Sequence, residues 1–127
     1  MELLTKELCK KIPALYTNED KKPEDTKIIV KFFTPWSHWT WYATEADGYD
    51  KDGNIVSLAS LPKLDELQDV RFFGFVAGDF PELGYFSLNE LKSVNGPFGL
   101  RIERDLHYGY EHTLKEVMDK ANAQMSN

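Results

Sequence analysis

The densest set of chemically capable side chains is Glu103, Asp105 and His107, spaced two apart near the C-terminal end of the sequence. On a β-strand the three share one face, each within about 7 Å of the next. A histidine beside two carboxylates can hold a metal ion, or act as a base with an orienting acid. Arg101 on the same face adds a group for an anion. His112 follows across Tyr108-Gly109-Tyr110, but no zinc spacing results, and Cys9 is the one cysteine. A solvent-facing strand is ordinarily charged, so the cluster also reads as a plain wet surface.

Other patterns carry less chemistry. Asp47, Asp50 and Asp52 before Gly53 approach a calcium loop. Aligned on the glycine, however, its first ligand position is Gly48 and its twelfth is Ala59. A solvated acidic turn is the better reading. Trp36, His38, Trp39, Trp41 and Tyr42 crowd seven residues. Aromatics this dense pack a core or mark a contact site. Alternation turns Trp39 and Trp41 inward and leaves Trp36, at the turn, as a candidate contact. Gly96-Pro97-Phe98-Gly99 lacks the strand and lysine of a phosphate loop, and no Gly-x-Ser-x-Gly elbow occurs. Cys9 reads as a small half-buried apolar residue. No catalytic residue, metal site or cofactor is assigned.

These residues need elements to position them. Thr5 caps a short helix with Leu4, Leu8, Ile12 and Leu15 on one stripe, limited by Pro13. Residues 17–26 are polar and form a loop. Lys27–Phe33 and Trp39–Glu45 read as strands of a hairpin. Asp47-Gly48 and Asp52-Gly53-Asn54 are turn chemistry. Leu61, Leu64, Leu67 and Val70 recur behind Pro62, giving a short helix capped by Ser60. Phe72–Ala77 and Leu83–Phe86 pair antiparallel. Ser87 with Glu90, and Thr113 with Glu116, are capping boxes for two more helices. Gly96-Pro97 ends the first of these; Leu114, Val117, Met118 and Ala121 line the second, with Glu116–Lys120 as a spaced ion pair and residues 124–127 fraying. Leu100–Tyr108 alternates as an exposed strand. The expectation is an α+β fold: a small antiparallel sheet of about five strands with three to four short helices packed around it.

The chain has 127 residues, 42% hydrophobic, with a net charge of -6. That length suits one domain spanning residues 1–127, with enough apolar content for a core. The charge is uneven: residues 1–40 hold seven Lys and six acids, residues 41–90 three bases and ten acids, and residues 91–127 five of each. An acidic chain disfavours direct nucleic-acid binding. No apolar run is long enough to span a membrane, the opening residues are too charged for a secretory signal, and a lone thiol suits the cytoplasm.

Several stretches together carry a likeness: Lys31-Phe32-Phe33-Thr34-Pro35 with Trp39–Glu45; Phe72-Phe73-Gly74-Phe75-Val76 with Glu82–Leu88; and Gly96-Pro97-Phe98-Gly99-Leu100 with Ile102-Glu103-Arg104-Asp105. Leu3–Leu8 fits as well. The chain resembles the bacterial domain-of-unknown-function 2958 family over roughly residues 3–110. The resemblance implies a small accessory protein of plasmids, conjugative elements or phages, and carries no activity. Residues 48–69 look like an insertion relative to shorter members. Within the motifs, Arg104 sits on the apolar side of its strand and calls for a carboxylate such as Glu82 or Glu45.

Two functions follow as expectations. The first is a non-enzymatic module binding a protein, such as a host defence or nucleic-acid-processing factor, through Trp36, Asp47, Asp50 and Asp52. The alternative is a small enzyme or anionic-ligand-binding domain with a polar pocket around Glu82, Glu103, Arg104, Asp105 and His107.

Overall fold

Among the described residues three α-helices form where a side-chain cap meets an apolar stripe. Thr5 Oγ1 accepts from Leu8 N–H at 3.3 Å and starts α1, Lys6–Lys11. Ser87 Oγ accepts from Glu90 N–H at 3.0 Å and starts α2, Leu88–Ser93. Thr113 Oγ1 accepts from Glu116 N–H at 3.2 Å and starts α3, Leu114–Met125. Each cap satisfies an N–H that the helix cannot satisfy itself. The computed structural model describes residues 1–60 and 64–125.

Among the described residues six strands make one antiparallel sheet: β1 (Val30–Phe33), β2 (Thr40–Tyr49), β3 (Ile55–Val56), β4 (Asp69–Ala77), β5 (Glu82–Ser87) and β6 (Glu103–Arg104). Their order is β5-β4-β2-β1-β6, with β3 paired to the far end of β2. The expected α+β architecture is present, with one more strand than anticipated.

The two faces differ. On one, Val30, Phe32, Ala43, Val70, Phe72 and Phe86 join Leu4, Leu8, Leu88 and Leu91 in the main core, covered by α1 and α2. On the other, Phe75 and Ile28 pack under Leu114, Val117 and Ala121 of α3. That second cluster is smaller, so much of the α3-side face lies outside it.

A bulge organises β2. Ala43 pairs with Gly74, yet Glu45 pairs with Phe73, so Thr44 is the extra residue. Before it Trp41 and Ala43 face the main core; after it Ala46 and Gly48 do. Opposite them, Glu45 and Asp47 join the α3 side, across from Phe73 and Arg71. Gly74 permits the close approach: a Cβ there would lie 1.8 Å from the Tyr42 carbonyl oxygen.

Several sequence expectations are corrected. Asp47-Gly48 continues β2 instead of turning. Of the helix expected behind Pro62, the described part is a 3₁₀ turn, Leu64–Glu66, with Val70 already in β4; Leu61 and Pro62 lie outside the described residues, as do Ser126 and Asn127 of the expected frayed end. The strand expected over residues 100–108 shrinks to Glu103–Arg104. Asp105 ends it by accepting the His107 N–H at 3.0 Å, a side-chain turn that competes with the ladder. On α3, Glu116 meets His112 at 2.5 Å and Lys115 meets Asp119 at 2.6 Å, in place of the Glu116–Lys120 pair.

Candidate functional site

The Asp105 turn decides the fate of the expected polar cluster. Glu103 pairs with Phe33 at the sheet edge, Asp105 lies 3.5 Å from Lys31, and His107 stands exposed beyond the turn. The three therefore share no strand face. Glu82 is further removed: it begins β5, at the opposite edge of the sheet from β6. The pocket expected around all five residues is not assembled.

Arg104 faces the main core side opposite Phe32, as its alternation implied. Its partner is neither Glu82 nor Glu45. Arg104 Nη1 donates to the Glu2 carbonyl at 2.9 Å. Arg104, Asp105 and Lys31 line a groove of about 380 Å³ with Tyr108 and Tyr110. The Lys31 ammonium lies 5.3 Å from the Tyr108 ring centre, and the Lys11 ammonium 3.9 Å from that of Tyr110. Tyr108 stacks on His112 at 4.0 Å. Burial pushes the Tyr108 phenol well above its ordinary value of 10, reinforced by Tyr42 and by the carboxylates of Glu116, Asp105 and Glu111.

Glu45 instead serves the backbone. It is only 5% exposed, and its two oxygens accept from Tyr16 N–H and Asn18 N–H, each at 3.0 Å. Asp47, two residues on, accepts from Leu15 N–H at 3.4 Å, and Ala46 N–H donates to the Pro13 carbonyl. Residues 13–18 thus close the side of β2 that β1 leaves open. Asp47 is buried, so it is no part of an exposed acidic surface. Asp50 and Asp52 do sit in the exposed region after β2, where they join Asp65, Glu66 and the base Lys51 around a depression of about 470 Å³. Asp50 accepts from the N–H groups of Asp52 and Asn54, both at 2.9 Å. The Asn54 bonds first, then those of Asp52 and Gly53, draw its carboxyl below the usual value.

Trp36 is half-buried and packs against the main core. A Cβ on Gly96 would lie 2.5 Å from its ring, so Trp36 is a support and not the free contact expected. What it supports is exposed. Phe98 and Gly99 both adopt left-handed backbone, φ 57° and 76°, and Leu100 N–H closes onto the Pro97 carbonyl at 3.0 Å. This is the pattern of a type I′ turn. Gly96 N–H donates to the Leu100 carbonyl at 2.8 Å, and Arg101 Nη1 to the Lys92 carbonyl at 3.1 Å, bracing the turn. At its tip the Phe98 ring is fully exposed, at 102% of its reference area. The β4–β5 connection reaches the same end of the sheet, carrying Phe80 at 80% exposure. His38 Nε2, in the β1–β2 connection, meets Asp79 at 3.1 Å and ties that connection to the β4–β5 one.

A family model described as "Protein of unknown function (DUF2958)" matches residues 3–126. The chain belongs to the DUF2958 family. The match takes in α3 as well as the motifs named above, a longer span than the likeness over residues 3–110. No curated protein and no solved structure matches this DUF2958 chain. Among the described residues, no helix is long and apolar enough to cross a membrane, and no group of three His, Cys, Asp or Glu residues is placed to hold a metal ion.

Sequence reasoning passed over Phe98 in this DUF2958 chain because it tested Gly96–Gly99 only as a phosphate loop. The usable signal was a phenylalanine between proline and glycine. Type I′ turns favour Asn, Asp or Gly at that point, so a large apolar residue there is anomalous.

Proposed function

We propose that this DUF2958 protein is a non-enzymatic protein-binding module, an accessory of a mobile genetic element, cytoplasmic, and directed at a host factor with basic surface. The observation that carries the binding reading is Phe98. A left-handed conformation costs a non-glycine residue about 1–2 kcal/mol. Leaving a phenyl ring in water forgoes roughly another 2 kcal/mol of burial. Neither cost is recovered within the chain, and both are offset when a partner's apolar pocket receives the ring. Rigid presentation suits an anchor residue, since little side-chain freedom is then lost on binding. The mobile-element setting comes from the family resemblance, and the basic partner from the acidic corner around Asp50, Asp52, Asp65 and Glu66.

The test is Phe98→Asn. Asparagine tolerates left-handed backbone, so the variant should match the wild type in stability or exceed it by about 1 kcal/mol in urea unfolding. Capture of a host protein from lysate, quantified by mass spectrometry, should fall at least tenfold. Undiminished capture by a folded Phe98→Asn protein overturns the anchor assignment.

The alternative, an anionic-ligand site, is supported by the groove that Lys31 and Arg104 line. It ranks second because Lys31 faces Asp105 and Arg104 bonds the Glu2 carbonyl.

A further inference from the structure

The sheet has unequal edges. At one, β6 is only two residues long. At the other, β5 runs six residues, Glu82–Ser87, and pairs with β4 alone. Among the described residues no other backbone bond reaches it. Proteins ordinarily blunt such an edge with lysine, proline, a bulge or a covering segment. Here Pro81 precedes the strand, and Glu82 is the one charge within it.

Side chains along β5 form a pattern. Leu83 and Tyr85, each 44% exposed, lie on the α3-side face opposite Phe75 and Phe73. Arg71 caps Tyr85, with its guanidinium carbon 4.3 Å from the ring centre. On the other face come Glu82, Gly84 and Phe86. Among the described residues nothing lies within 4 Å of where a Gly84 Cβ would stand. Gly84 has no positive φ, so neither backbone conformation nor packing within the chain requires a glycine there. A glycine inside a strand weakens it, and often marks close approach by another backbone. Glu82 within β5 and Glu90 just beyond it are both exposed.

From this we infer that β5 accepts an extended segment of the protein partner as a seventh strand, a segment bearing lysine or arginine opposite Glu82 and a bulky side chain over Gly84. The inference rests on the protein-binding reading and names the partner's chemistry. Main-chain bonds supply the attachment, and alternate side chains supply the choice of segment. Glu82 selects a cation across the strand. The gap over Gly84 takes a ring, and Leu83 and Tyr85 take β-branched residues on the other face.

The probe is a capped peptide, lysine–valine–phenylalanine–valine–lysine, whose palindromic order serves either strand direction. It is titrated into ¹⁵N-labelled protein, with glutamate–valine–phenylalanine–valine–glutamate as control. The lysine peptide should shift the amides of Leu83 to Phe86 and bind at least tenfold more tightly than the control. Glu82→Lys, checked for a wild-type amide spectrum, should reverse that preference. Shifts that spare β5, no binding, or no reversal in Glu82→Lys overturn the inference. So does a β5-dependent dimer in sedimentation, which would give the edge to a second copy. Loss of host capture in Phe98→Asn together with a silent peptide titration leaves the binding module standing and removes only the added strand. Capture indifferent to Phe98 removes the anchor, whatever the peptide does.

Discussion

Glu45 shows how much one side chain can hold. The sequence offered it as a partner for Arg104, a charge answering a charge. The fold spends both its oxygens on the Tyr16 and Asn18 N–H groups, and Tyr16 adopts φ 72° to meet it. Both bonds are part-buried, and bonds to a carboxylate are the stronger kind, each contributing about 1.5–3 kcal/mol. Glu45→Ala should therefore cost about 3 kcal/mol in urea unfolding. It should also raise the exchange rates of the Tyr16 and Asn18 amides before those of β4. A loss below about 0.5 kcal/mol would mean that water satisfies both groups as well. No sequence pattern pointed to this role, because the bonds join residues 27 and 29 positions apart through a loop with no regular structure.

At the scale of elements, the legible parts were those set by local chemistry. Thr5, Ser87 and Thr113 cap helices where their spacing said they would. Phe72–Ala77 and Leu83–Phe86 pair as their β-rich composition required. The misreadings have two causes, long-range pairing that overrides local composition and a local side-chain turn that ends a ladder. Asp47-Gly48 has turn chemistry, but β4 and the 13–18 segment both bond that stretch, and it stays extended. Residues 100–108 alternate well, yet Asp105 ends the strand early. The two facing glycines of β4 and β5 separate packing from tolerance. Gly74→Ala puts a methyl against the Tyr42 carbonyl and should cost more than about 3 kcal/mol, or prevent folding. Gly84→Ala meets open space and should gain a few tenths of a kcal/mol up to about 1. Paired urea melts decide this, and equal losses in the two variants would contradict the geometry.

Across the whole molecule, the exposed rings and the acidic corner lie at opposite ends of β2. Phe98 and Phe80 stand at its Thr40 end; Asp50, Asp52, Asp65 and Glu66 gather at its Tyr49 end. The uneven charge along the sequence raised the expectation of an acidic side; Asp47 is internal, and Lys51 stands among the acids at that end. The aromatic end was illegible, since it depends on Trp36 bracing a turn sixty residues away. The two ends should act on different rate constants. Screening weakens attraction between exposed charges, so a basic partner's association rate should fall about fivefold or more from low to physiological salt. Neutralising Asp52, Asp65 and Glu66 should lower that rate and leave dissociation alone, whereas Phe98→Asn should mainly speed dissociation. Stopped-flow measurement separates them, and salt-independent association would refute the steering role. The extra residue in β2 has a bearing on the chain's history. Thr44 works like a frameshift in space: everything after it reads on the opposite face. Removing Thr44 would restore strict alternation and leave Glu45 opposite Phe73 and Ala46 opposite Phe72, on the faces they hold now. A change of length by one is therefore absorbed at the bulge, whereas in the regular stretches of β2 it would turn the residues beyond it to the wrong face. The bulge is thus the place in β2 where the residue count is free to differ by one in descendants of this sequence, and the paired stretches on either side are where it is not.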